Sequence, residues 1–156
     1  VFRTNTAYDR WGEGRKQWGA LVNNSRNLAI KMNAMLPHND TKNRHFFMKI
    51  IPMFADVLQQ HLRAETTRLQ LDTDPHPEIP ELDHNKHIPN QVAGIIATKL
   101  SLLQRENIIT GDQLIVVNNE LQSFLDICGA CELIKNTPIP YSYSVFVKKF
   151  IFIYIV

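Results

Sequence analysis

Large apolar residues recur along the first part of the chain at Trp11, Trp18, Leu21, Val22, Leu28, Met32 and Met35. Their steps of three, four and seven predict one stripe of a long helix, and no proline falls between Val1 and Leu36. Unbroken, such a helix would be about 50 Å long at about 1.5 Å per residue. Gly12, Gly14 and Gly19 each cost about 1 kcal/mol against alanine in a helix interior. A bend, or the close approach of another backbone, is therefore expected there. Pro37-His38-Asn39-Asp40 ends the element.

The helical spacing returns at Phe47, Ile50, Ile51, Phe54, Val57, Leu58 and Leu62, predicting a second helix from about Thr41 to Leu71. Pro52 should kink it, because proline removes a backbone donor and crowds the preceding turn. Between Asp72 and Pro80 the prolines at 75, 77 and 80 forbid regular structure, so this stretch is a loop. Asn90 can cap a third helix that runs to about Glu106 and turns Val92, Ile95, Ile96, Leu100 and Leu103 inward. Thr110 or Asp112 can open a fourth, carrying Leu114, Val117, Leu121, Phe124 and Cys128 into the core, until Thr137-Pro-Ile-Pro140 makes an extended corner. Four amphipathic stretches divided by proline-rich breaks give an all-α fold.

The tail does not follow the pattern. Residues Phe150 to Val156 are all apolar, and as helix they would cross only about 10 Å of a hydrocarbon core about 30 Å thick. A membrane helix entered but not completed fits them. So does a buried terminal strand, since Ile, Phe, Tyr and Val favour strands. Lys148 and Lys149 precede the tail as the positive-inside tendency expects on the cytosolic side. At the other end the chain begins with Val1, and its true N-terminus is expected upstream.

Composition narrows the function classes. The length of 156 residues suits one domain. Seventeen basic and 15 acidic side chains leave a formal charge of +2, far from the concentrated basic surface that phosphate backbones require, so nucleic acid is not an expected partner. With 44% hydrophobic and 21% charged residues, the chain is too apolar to be intrinsically disordered. Cys128 and Cys131 are its only cysteines, which supports a reducing compartment rather than a disulfide framework.

Candidate chemistry is sparse. Cys128-x-x-Cys131 has no second pair to complete a structural zinc site, and reads as two small apolar residues near a helix end. His84-x-x-His87 lacks a carboxylate at a matching offset, and reads as two solvated loop histidines. Neither a metal nor any other cofactor is implied. Glu13, Asp56, Glu65, Glu120 and Glu132 are scattered rather than paired in an apolar setting, which leaves an enzyme without an acid and base.

Two stretches carry more than periodicity. Phe2-Arg-Thr-Asn-Thr-Ala-Tyr-Asp-Arg-Trp11, followed by Glu13-Gly-Arg-Lys-Gln-Trp-Gly19 and Asn23-Asn-Ser-Arg26, resembles the bestrophin segment that leaves the second membrane helix. Gly129-Ala-Cys-Glu132, then Thr137-Pro-Ile-Pro-Tyr-Ser-Tyr143, resembles that family's link into its third membrane helix, in the bacterial and plant-type branch. The resemblance covers nearly the whole chain and about half of a complete family member. It implies the following organisation: residues 1–36 as the end of a pore helix with its cytosolic extension, 41–136 as cytosolic helices, and 137–156 as a link into the next membrane helix.

It further implies a subunit of a homopentameric, multi-pass channel in the cell membrane, most of this segment being cytosolic. Chloride or other small anions would be the permeant ions, with monovalent cations as the alternative inside the family. Phe2, eight residues before Arg10, matches the last apolar position of the pore neck, and a second, cytosolic constriction falls near Asp112 and Gln113. Read without the resemblance, Phe2 is a core aromatic, Asp112 a helix N-cap, and the chain a soluble helical scaffold or adaptor. The calcium-sensing acidic cluster of animal members would lie beyond this segment, so calcium gating is not expected of it. Gly12 stands where the family usually has tryptophan, and Leu133 where it usually has arginine. These departures bear on assembly, through lost aromatic packing and an orphaned carboxylate partner.

Overall fold

A computed structural model describes residues 2–63 and 76–136 of the chain. Within them lie four helices, α1 (Phe2–Met35), α2 (Thr41–Arg63), α3 (Ile88–Arg105) and α4 (Gly111–Asn136). The last eight residues of the predicted Thr41–Leu71 helix, the Thr137–Pro140 corner and the apolar tail lie outside the described residues.

The helices form an up-down-up-down bundle in which α1 packs on α2 and α4, α3 packs on α2 and α4, and α2 also reaches α4. The connections explain the order. Only Leu36–Asp40 separates α1 from α2 and only Glu106–Thr110 separates α3 from α4, too few residues for anything but antiparallel neighbours. Three devices stop and restart the chain. Arg44 of α2 donates to the carbonyls of Asn33, Leu36 and Pro37 at 3.2, 2.7 and 3.0 Å, so its guanidinium closes the carbonyl end of α1. Asp40 Oδ1 accepts the Asn43 N–H at 3.2 Å and caps α2. Asn107, at φ 59°, ends α3 in a Schellman turn, its own N–H donating to Gln104 O at 3.1 Å and that of Ile108 to Leu103 O at 2.9 Å.

The core runs the length of the bundle. Phe54 of α2 stacks on Phe124 of α4 with centroids 4.8 Å apart and planes at 13°, and Leu28, Ile50, Val57, Leu58, Val92, Ile96, Leu103 and Val117 are fully buried around them. The predicted inward faces of α2, α3 and α4 are those observed, with Leu62, Ile95 and Leu114 at their half-buried margins. On α1 the buried stripe is Leu21, Leu28, Met32 and the following Leu36. Trp11 and Val22 are 57% and 54% exposed, which corrects the predicted stripe. At about 100° per residue they are rotated roughly 80–100° off the line through Leu21, Leu28 and Met32, toward the exposed Tyr8.

Helix α2 continues through Pro52, which lies on its exposed side. α3 starts two residues before Asn90, with His87 as its N-cap and Pro89 in its first turn. Among the described residues, a Cβ on Gly12, Gly14 or Gly19 would meet nothing within 4 Å, so no close approach of a described backbone requires these glycines.

Lys99 lies inside the bundle edge at 7% side-chain exposure. Its Nζ donates to Glu78 Oε2 at 2.7 Å, while Lys42 Nζ lies 3.2 Å from Glu78 Oε1, so residues around Glu78 are tied to both α2 and α3. Burial pushes the Glu78 carboxyl up, but the two lysines outweigh it and hold it below the usual carboxylate range. Nearby His76 is buried, and desolvation lowers its pKa against the opposing pull of Glu78.

Candidate functional site

The two ends of the bundle carry different residues of interest. At one end α4 begins. Thr110 Oγ1 accepts the Gln113 N–H at 3.1 Å and Gln113 Oε1 accepts the Thr110 N–H at 3.0 Å, a reciprocal capping box. Thr110 is thus the cap, and Asp112 is not. Asp112 lies exposed in the first turn, where a carboxylate meets the positive end of the helix dipole.

At the other end the start of α1, the end of α2, the start of α3 and the end of α4 converge. Phe2 opens α1, about two helical turns before Arg10. Arg10 Nη2 donates to the carbonyl of Ile134 and joins α1 to the last turns of α4. Phe2 and the Asp112–Gln113 pair are not brought together, since α4 places some 20 residues, roughly 30 Å, between Asp112 and the Arg10 contact.

A cluster at this end joins three helices. His61 Nε2 of α2 lies 2.9 Å from Glu132 Oε1 of α4, and His87 Nε2 at the start of α3 bonds the same oxygen. The two imidazoles have centroids 4.5 Å apart. An ionised carboxylate only accepts, so each Nε2 carries a proton and donates. His87 Nδ1 accepts the Asn90 N–H at 3.2 Å, which leaves a neutral His87 its proton on Nε2, as the contact with Glu132 demands. One imidazole therefore starts α3 and ties it to α4. Behind the carboxylate the Cys128 thiol donates to Glu132 Oε1 at 3.7 Å. Burial pushes the Glu132 carboxyl up, but the hydrogen bonds and charge of His87 and His61 outweigh it and leave it below the usual carboxylate range. Cys128 and Cys131 are buried free thiols; desolvation and then the neighbouring Glu132 push Cys128 up to about 12, and Cys131 is raised too, so neither is a thiolate at neutral pH.

The sequence reading of His84-x-x-His87 is corrected here. His84 is exposed, whereas His87 is half-buried and partnered by residues 26 positions before it and 45 after it. Glu132 was readable in part, because it extends the inward series Phe124 and Cys128 by one more step of four. Nothing local marks His61 as its partner.

A protein-family model described as bacterial/fungal bestrophin protein matches residues 1–156. The chain belongs to this bestrophin family. A voltage-dependent anion channel-forming protein of Nostoc sp. is 34% identical over 158 residues, an alignment covering 99% of this chain and 52% of that relative. Another from Synechocystis sp. is 32% identical, with 99% and 52% covered. The chain spans about half the length of the curated bestrophin relatives it matches. The fold is that of a bacterial bestrophin homolog from Klebsiella pneumoniae, with TM-score 0.81, 19% identity, and 97% of this chain and 57% of that one covered. No described helix of this bestrophin segment is long and apolar enough to cross a membrane.

Proposed function

We propose that the whole protein is a membrane channel subunit that conducts anions, with this bundle forming part of its wall behind the membrane. The observation that carries the reading is the family match over all 156 residues, joined to relatives named as anion channel-forming proteins. Tyr8 and Trp11, exposed one turn apart near the start of α1 with their rings in contact, form an aromatic pair that an assembly of several copies would cover. Five copies are proposed from the family, with Phe2 in an apolar neck and Asp112 and Gln113 in a cytosolic constriction at the far end of α4. Apolar collars gate by shedding water, whereas a carboxylate ring attracts cations at short range and so tempers anion preference without setting it; Phe2 thus bears on gating and Asp112 on the degree of selectivity.

The test is the full-length protein reconstituted in planar bilayers under a salt gradient. The reversal potential should lie on the anion side. A potential on the cation side would replace this reading with that of a monovalent-cation channel. Silence in every preparation that remains assembled would return the bundle to the class of scaffolds.

A further inference from the structure

His61, His87 and Glu132 each offer one ligand atom, all within 4.8 Å of one another, and each residue is about one-third exposed. They come from α2, the α3 cap and α4. From this geometry we infer that the cluster is a binding site for a divalent transition-metal ion of the zinc type, clasping three helices at one end of the bundle.

Two imidazole nitrogens and one carboxylate oxygen form a donor set suited to zinc and poorly suited to magnesium or calcium, which take oxygen. A tetrahedral ion with bonds of about 2.0–2.2 Å holds its donors roughly 3.3 Å apart. His61 Nε2 and Glu132 Oε1 are already at 2.9 Å, so small side-chain rotations open the space, and solvent reaches the fourth position. Cys128 holds the carboxylate from behind through its thiol hydrogen bond.

A neutral imidazole that binds through Nε2 keeps one proton, moved through solvent to Nδ1, and an imidazolium releases one proton to water. At His87 that proton takes the lone pair which now accepts the Asn90 N–H. Metal binding therefore unlatches the N-cap of α3 while it draws α2, α3 and α4 together. That exchange keeps the affinity modest, and it gives the site a signature that a surface histidine lacks.

The test uses the full-length channel in detergent micelles, titrated with zinc alone by calorimetry and with cobalt(II) followed by its visible absorption. Neither readout depends on conduction. One ion per chain is expected at micromolar concentration, with a tetrahedral cobalt band and faster exchange of the Asn90 amide proton. His87→Ser removes a ligand but supplies a side chain that caps helices well, so α3 still starts; His61→Gln removes the second imidazole without touching a cap. Each should weaken zinc at least about tenfold. Stoichiometric binding unaltered in both variants, competition by magnesium at equal concentration, or no binding to the folded parent would overturn the site.

Discussion

The two ends of α4 are held by different means. At its start, Thr110 and Gln113 satisfy one another's backbone groups across three residues, a purely local arrangement. At its far end, Glu132 is held by His61 and His87, which are 71 and 45 residues away, and by Cys128 one turn before it. A local cap contributes wherever the helix forms. The distant clasp exists only when three helices are already docked, and in return it reports on their docking.

The substitutions that sharpen this contrast begin between the two ends. Phe124→Ala removes the ring stacked on Phe54 in a fully buried position and should cost about 3–5 kcal/mol, loosening both ends together. Equilibrium unfolding in urea, followed by far-ultraviolet circular dichroism, would measure it. A loss under about 1 kcal/mol would mean that the ends are held independently of the core.

Next comes the other polar clasp. Glu78→Ala leaves the buried Lys99 ammonium without its carboxylate and should cost about 3 kcal/mol. The lowered pKa of Glu78 fixes the sign of the pH dependence. Its contribution is complete above the ordinary carboxylate range and fades as pH falls through the lower folded value. The gap between wild type and variant should therefore close in acid, and a gap that persisted there would assign the loss to packing.

Glu132→Ala should cost less, about 1–2 kcal/mol, since the carboxylate and both imidazoles are partly solvated. Its contribution has the same sign with pH as that of Glu78, because its pKa is lowered too. Amide exchange should quicken at the end of α2 and the start of α3 as well as in α4. Thr110→Ala is the smallest, about 1 kcal/mol, with faster exchange confined to the first turn of α4. If the two variants gave the same exchange pattern, local and distant means of holding α4 would not differ.

Much of the architecture was legible because one rule applies to every helix: residues three or four apart share a face. That rule located four helices and the buried faces of three. It placed Trp11 and Val22 on the wrong side of α1, where apolar residues serve two faces and periodicity cannot tell a core from a flank. The same locality explains the caps. Thr110 lies three residues from its partner and was a named candidate, whereas Asn90 was expected to cap α3 and His87, an imidazole and so an unusual cap, takes that place.

By itself, then, the sequence determined the all-helical class, the breaks between helices, the core faces of α2, α3 and α4, and the family, since all of these depend on residues close together in the chain or on ordered motifs. Only the tertiary structure decided that Lys99 is buried against Glu78 and that His61, His87 and Glu132 share one point. Polar side chains at exposed and at docked helix ends look alike in sequence. Their partners are chosen by which helix ends meet, and that follows from the packing of the whole bundle.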